Sequence, residues 1–190
     1  MLDFVLWYVL ISLLGLLVFP FAYRIFNKLP DRGYALSRVF GLLLWGFIFW
    51  LLTSLQLLQN DTGGVLIALG IVLGFGFWFY SWKFGWKDLT MWFEENKSLV
   101  IMTEVVFLFT FGLWALVRAT DPATVGTEKP MEMAFINAIL RSPTFPPNDP
   151  WLSGYSISYY YFGFVLAAML VRVTESHCCR ALSSRSSWCL

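Results

Sequence analysis

Residues 2–23 read LDFVLWYVLISLLGLLVFPFAY, and Asp3 is the only charged side chain among them. As a helix, this run is long enough to cross the roughly 30 Å hydrocarbon core of a bilayer. No basic segment precedes it, so it lacks the pattern of a cleavable signal peptide. We therefore predict a membrane-spanning helix here, interrupted at Pro20.

Further apolar blocks along the chain predict the remaining spans. They occupy residues 39–58, 65–82, 98–117 and 157–173. Of all residues, 58% are hydrophobic and 13% are charged, and mean hydropathy is +0.67. Soluble domains carry about 25% charged residues, so this chain has too little polar surface to coat a water-soluble globule. The predicted fold is an all-α membrane protein, a polytopic bundle of about five transmembrane helices, four of them within residues 1–118.

Two segments between these blocks are predicted to contain helices that do not span. Residues 85–96 place apolar side chains on one helical face and charged side chains largely opposite, which is typical of a helix lying in the membrane interface. Residues 119–156 form a long polar loop. Within that loop, Pro130 suits the first turn of a short surface helix, and Pro143 ends it.

Lysine and arginine positions predict the orientation in the membrane. The connections after the first and third spans are basic, whereas residues 59–64 contain neither Lys nor Arg. We therefore expect the N-terminus and the long loop to be external. A net charge of +1 gives no indication of nucleic-acid binding. In the third span, Gly70, Gly74 and Gly76 are small residues that let another helix approach closely, and we expect ordinary bundle packing there rather than dimerisation.

The last residues, 175–190, differ from the rest of the chain. They hold the single histidine, His177, and all three cysteines, so the body of the chain has no zinc or haem cluster and no disulfide framework. One interpretation is a short cytoplasmic tail palmitoylated at Cys178 and Cys179. The favoured interpretation is a reading frame lost near Glu175. It implies a missing C-terminal part that would supply further helix-packing partners.

Two carboxylates mark the start of the surface helix. Glu128 and Glu132 are four residues apart and, on a helix, project from one face. Such a pair could bind a divalent cation such as Mg²⁺ or Mn²⁺, or act as a base. The alternative is that acidic residues simply favour a helix N-terminus.

Aromatic residues dominate the end of the loop. Asp149 beside Trp151 could grip a sugar by hydrogen bonding and stacking, or Asp149 could bond its own backbone in an ordinary turn. Tyr159, Tyr160 and Tyr161 point in three directions if they are helical. They form either an aromatic belt or a set with one hydroxyl facing inward to a phosphate or sugar.

Two charged residues lie within the fourth span or at its end. Glu104 is costly in a membrane helix and either faces the bundle interior with a partner or snorkels to the nearby cytoplasmic end. Arg118, near the external end, either attracts an anionic lipid headgroup or anchors the helix.

A set of short motifs in the loop resembles a known family. The motifs are EKPME at residues 128–132, FPP at 145–147, DPW at 149–151, Gly154, and YYYFG at 159–163. Together they resemble the prokaryotic YYY-domain membrane proteins, a mostly uncharacterised family that is distantly similar to the GT-C membrane glycosyltransferases. The resemblance implies a location in the cytoplasmic membrane of a prokaryote.

The resemblance also implies a chemistry. GT-C enzymes take sugar from a polyprenyl-phosphate carrier and use an acidic residue in their first large external loop. Here Glu128 or Glu132 would serve as base or metal ligand, and Arg118 or Lys129 would neutralise the carrier phosphate. The family motif usually has Asp where this chain has Glu132, and family members have many more spans. We therefore expect this chain to be an N-terminal fragment that is inactive alone.

A non-enzymatic function is the alternative. A lipid or saccharide transporter, or an assembly subunit, would also bind membrane lipids and lipid-linked sugars. Transporters carry charged or Gly/Pro-broken positions deep in paired spans. Such features are nearly confined here to Pro20 and Glu104, which weakens the transporter interpretation and leaves an assembly role open.

Overall fold

A computed structural model describes residues 2–81, 86–120 and 128–174. The regular elements in these ranges are helices. They are α1 (Leu2–Ile25), α2 (Ser37–Ser54), α3 (Thr62–Ser81), α4 (Trp86–Glu95), α5 (Lys97–Thr120), α6 (Lys129–Arg141) and α7 (Phe162–Thr174). The chain is therefore a helical membrane protein, as its apolar blocks predict.

The helices α1, α2, α3 and α5 are long and apolar enough to cross a membrane, which confirms four of the predicted spans. The helix α1 continues through Pro20, so the expected interruption there is wrong. The fifth block differs as well. Its helix begins only at Phe162 and has 13 residues. At 1.5 Å per residue it is about 20 Å long, shorter than the roughly 30 Å hydrocarbon core.

Contacts divide the chain into two compact units, with boundaries inside α1, α2 and α3. One unit, here called the loop unit, comprises Met1–Trp7, Trp45–Leu69 and Thr124–Leu190. The other, here called the ion-pair unit, comprises Tyr8–Leu44 and Gly70–Ala123. Each is described separately below.

The core of the ion-pair unit is aromatic. Phe19 of α1 meets the ring of Tyr34 edge-on, with centroids 5.1 Å apart, and lies 5.0 Å from the ring of Trp92 in α4. Trp92 and Leu89 are both buried in this cluster. The apolar face predicted for the short helix at 85–96 therefore packs against protein side chains.

Glu104, about two turns into α5, has two partners. Its Oε1 accepts a hydrogen bond from Arg38 Nη2 at 2.5 Å and another from the Tyr34 hydroxyl at 2.6 Å. This confirms the interpretation that Glu104 is paired within the bundle. Burial, followed by this hydrogen bond to Glu104, raises the pKa of Tyr34 above its ordinary value, so the hydroxyl stays protonated and donates.

Arg38 is held in a close-fitting site. Its side chain is only 6% exposed, and its guanidinium lies 4.4 Å from the centroid of the Phe107 ring. Gly15 of α1 makes room for it, since a Cβ at that position would lie 2.6 Å from Arg38 Cγ. The helix α5 itself has no buried residue among those described. Its polar contact with Arg38 and Tyr34 adds to the packing of Leu99 and Val100 against the aromatic core.

Of the three glycines of α3 at which the sequence predicts close helix packing, one is in close contact with another helix. Among the described residues, no atom lies within 4 Å of a Cβ built on Gly70 or Gly74. The close approach occurs at Gly76, where a Cβ would lie 3.3 Å from Phe21 Cβ. For the part of the chain that the structure describes, the predicted helix packing is therefore confirmed at Gly76 and wrong at Gly70 and Gly74.

Candidate functional site in the loop unit

The helix α6 forms where the two prolines predict it. Pro130 lies in its first turn, and the helix ends at Arg141, before Ser142 turns to extended backbone ahead of Pro143. One face of α6 buries Phe135 and Ile139, which lie one turn apart. The helix α7 packs beside it and buries Val165 among other apolar residues. These two helices form the scaffold of the candidate site.

The candidate carboxylates lie at the start of α6. Glu128 occupies the N-cap position without a side-chain cap, and its backbone carbonyl accepts a bond from Glu132 N–H at 3.0 Å. Both side chains are exposed. In the ranges that the structure describes, no three His, Cys, Asp or Glu residues are grouped to hold a metal. The pair thus offers two solvent-facing carboxylates one helical turn apart.

The two candidate cations lie in different units. Lys129 is the first residue of α6 and is half-buried, in the loop unit. Arg118 lies in the last turn of α5, in the ion-pair unit. The structure therefore groups Lys129 with the carboxylates and assigns Arg118 to the other unit.

Asp149 organises a turn. Its Oδ1 accepts hydrogen bonds from the backbone N–H groups of Trp151 at 2.8 Å and Leu152 at 2.9 Å. Its own N–H donates to Tyr155 O at 2.8 Å, and Gly154 has a positive φ of 86° within the same turn. The ordinary-turn interpretation of Asp149 is thus the observed one, and the turn presents Trp151.

Phe135 brings several predicted residues together. The ring of Trp151 meets it edge-on at 5.4 Å between centroids, and the ring of Tyr159 stacks on it at 5.5 Å. Phe135 lies about one turn after Glu132 on α6. The sequence singled out the two rings and the carboxylate, but not the buried phenylalanine that connects them.

The tyrosine triplet precedes α7 and is not helical, so the expected arrangement of three rings around a helix is wrong. Tyr160 is 87% exposed. The Tyr161 hydroxyl accepts a hydrogen bond from Trp50 Nε1 at 2.9 Å. The triplet lines an open aromatic groove of about 370 Å³ together with Phe47, Trp50 and Phe162.

Both ends of α7 contact residues of the long helices in the loop unit. The ring of Phe162, at the start of α7, meets that of Trp50 edge-on, one turn before α2 ends. At its other end, Thr174 Oγ1 accepts a bond from Trp7 Nε1 at 3.2 Å, near the start of α1. Between these ends, Leu166 of α7 lies against Gly46 of α2, in space that a side chain at position 46 would occupy. Within this unit, α7 thus packs beside α6 and contacts side chains of α1 and α2.

Two further polar residues of this unit contact the end of α6 but belong to none of the motifs described in the sequence. Asn60 is buried in the connection between α2 and α3, and Arg172 lies near the end of α7. Both bond the carboxyl end of α6. The one hint in the sequence is Pro143. Proline has no N–H to donate to the last turn of α6, so the carbonyls of that turn need donors from elsewhere.

The family described as Uncharacterized membrane protein (DUF2298) matches residues 44–179. The matched region covers the C-terminal part of α2, all of α3 to α7 and every motif of the long loop. No curated protein and no solved structure matches the chain.

Proposed function

The chain belongs to this family of uncharacterized membrane proteins, and from that premise we propose that it forms part of a GT-C-like glycosyltransferase whose donor is a sugar carried on a lipid phosphate. The observation that carries the proposal is the geometry of α6. Glu128 and Glu132 are exposed at its start, and about one turn further on Phe135 holds the rings of Trp151 and Tyr159. Carboxylates beside aromatic rings suit a sugar with hydroxyls and a carbon face.

In the proposed reaction, a carboxylate acts on the acceptor. Glu128 or Glu132 accepts the proton of the acceptor hydroxyl, whose oxygen bonds to the anomeric carbon of the donor sugar as the bond from that carbon to the phosphate oxygen breaks. The lipid phosphate leaves with the electron pair, and the configuration inverts. A base of this kind contributes about 10²–10⁴-fold to a rate.

The same carboxylates fit a divalent cation. Mg²⁺ is bound through one or two carboxylates together with substrate phosphates and waters, and Mn²⁺ also accepts oxygen ligands. Two exposed carboxylates one turn apart meet that need. A bound cation would supply positive charge to the leaving phosphate, and Lys129, beside Glu128, would add to it. Arg118, at the end of α5, belongs to the ion-pair unit and is not part of this proposed site.

The remaining residues of the proposed site bind the donor. Trp151 is 62% exposed and offers a ring face for stacking on sugar, held in place by the Asp149 turn. Tyr160 and Tyr161 line the aromatic groove, whose surface is almost entirely carbon and suits an isoprenoid chain.

The test is sugar transfer in membranes from cells that express the gene in its own host. Radiolabelled undecaprenyl-phosphate hexoses serve as donors. We expect the double variant Glu128→Gln/Glu132→Gln to lose at least about 100-fold in transfer rate. The matched control is Glu94→Gln/Glu95→Gln, which removes two exposed carboxylates from α4 and should leave transfer intact.

Two results would count against the proposal. Unchanged transfer in the Glu128→Gln/Glu132→Gln variant would remove the catalytic assignment. Binding of the labelled donor with no transfer would favour the alternative, a non-enzymatic transporter or assembly subunit that handles lipid-linked saccharides.

A further inference from the structure

The carboxyl end of α6 requires hydrogen-bond donors from outside the helix. The last carbonyls of any helix lack partners within it. Here the Ser142 N–H and hydroxyl both donate to Ala138 O, at 3.0 and 2.9 Å. The next donor in the series would be the N–H of residue 143, and proline has none. The carbonyls of Ile139 and Leu140 are therefore left for other parts of the chain.

Asn60 supplies most of these donors from the connection between α2 and α3. Its side chain Nδ2 donates to Ile139 O at 2.5 Å and to Ser142 O at 2.6 Å. Its backbone N–H donates to Pro143 O at 2.9 Å. Asn60 is only 7% exposed, so water cannot readily replace these bonds.

Arg172 supplies the remaining donor from α7. Its Nη2 donates to Leu140 O at 2.9 Å and also lies 3.5 Å from Asn60 Oδ1. A cation suits this place because the carbonyl end of a helix carries partial negative charge. Three segments that are distant in sequence thus meet at the end of α6.

We propose that Asn60 and Arg172 are positioning residues that fix α6 and thereby set where Glu128 and Glu132 lie. From Leu140 back to Glu132, α6 spans about 12 Å as a rigid helix. The residues Asn60 and Arg172, here called the clamp, hold its carboxyl end, so a shift or tilt at that end is transmitted to the carboxylates. Misplacement of a catalytic group by about 1 Å can cost 100-fold in rate. The catalytic consequence rests on the proposed function, whereas the positioning of α6 does not.

The test measures the position of α6 directly, by electron paramagnetic resonance of a spin label. Cys178, Cys179 and Cys189 are first replaced by serine, and a label is then placed at Glu132→Cys, an exposed site at the start of α6. A second label, at the exposed Leu66 of α3, reports whether the loop unit stays folded.

Four clamp variants are compared. Asn60→Ala, the nearly isosteric Asn60→Asp and Arg172→Gln should each increase label mobility at position 132 at least twofold, with the label at Leu66 unchanged. Arg172→Lys keeps a charged donor and should restore most of the immobilised signal. Asn60→Asp is decisive against a space-filling role, because it keeps the shape of the side chain and replaces the Nδ2 donor by a carboxylate oxygen that the carbonyls of Ile139 and Ser142 repel.

Matched controls make the same changes away from the clamp. Asn137→Ala removes an amide that bonds Met133 O within α6 itself, and Arg141→Gln removes an exposed charge from its last turn. Neither should change the label at position 132. Equal mobility in the controls and the clamp variants would overturn the proposal. Loss of order at both labels would also overturn it, since Asn60 would then hold the whole unit together.

Transfer kinetics separate this proposal from the proposed function. If the chain transfers sugar, Asn60→Asp should lower kcat at least 10-fold with the donor KM nearly unchanged. A raised KM at unchanged kcat would contradict a positioning role. If membranes of the native host that express the gene show no transfer, the proposed function fails, while the spin-label result still decides whether Asn60 and Arg172 position α6.

Discussion

Removal of the Glu104 carboxylate should destabilise the ion-pair unit far more than removal of an exposed carboxylate. In Glu104→Leu the guanidinium of Arg38, whose side chain is 6% exposed, loses its counter-ion in an apolar site. Breaking a fully buried pair costs about 3–5 kcal/mol. Because Glu104 is about one-third exposed, part of its charge is already solvated, and we expect a loss of about 2–3 kcal/mol.

The double variant Arg38→Met/Glu104→Leu should behave differently. It replaces both charges by apolar side chains, so no charge is left without a partner, and its stability should lie within about 1 kcal/mol of the native chain. The coupling energy between the two positions would then be at least about 1 kcal/mol, within the range of residues in contact.

The assay is equilibrium unfolding in detergent micelles, followed by tryptophan fluorescence. Glu95→Leu is the control. It removes an exposed carboxylate from α4 and should change the free energy of unfolding by no more than about 0.5 kcal/mol. The reasoning is refuted if Glu104→Leu costs no more than this control, or if the double variant loses the sum of the two single losses.

Three further predictions address other contacts. Gly46→Val should destabilise the loop unit by about 1–3 kcal/mol in the same unfolding assay, because the added side chain overlaps a leucine of α7, whereas Gly70→Val has open space and should be nearly neutral. The raised pKa of Tyr34 contributes stability that is fully present below the unfolded pKa of about 10 and is lost at higher pH. Above a pH of about 10 the free energy of unfolding should therefore fall more steeply for the native chain than for Tyr34→Phe. Parallel curves for the two chains would exclude this contribution. Topology reporters placed after Thr174 and at Asn60 should lie on the same side of the membrane, and opposite sides would show that α7 crosses it.

The long spans and the bounds of α6 could be predicted because their causes are local. Bilayer thickness sets the minimum length of a spanning apolar helix, so residues 2–23 and three later apolar blocks are recognisable as spans from their length and composition. Pro130 and Pro143 fix the ends of α6 through restrictions on their own backbone and that of their neighbours. The partner of Glu104 was predictable in kind, because an ionisable group in hydrocarbon needs one.

The start of α7 could not be predicted, because tertiary hydrogen bonds decide it. The backbone N–H of Ile157 donates to Pro147 O at 2.9 Å, and the hydroxyl of Tyr161 accepts a bond from Trp50. These contacts hold residues 157–161 outside the helix, although composition alone favours a longer apolar block. The same limit applies to Asn60, whose helix-capping partners lie about 80 residues away in sequence and leave no local pattern.

The exposure of α5 has a consequence for how this helix tolerates mutation. Its 24 residues include none that is buried among those described, and in a membrane its outward side chains meet lipid. Lipid tails are as apolar as leucine, so exchanges among Leu, Ile, Val and Phe along most of α5 change little. Selection on α5 then falls mainly on Glu104, on the residues Leu99, Val100 and Phe107 that pack against protein side chains, and on overall hydrophobicity. A deep mutational scan would show a nearly flat profile along the helix, with a sharp minimum around one acidic residue.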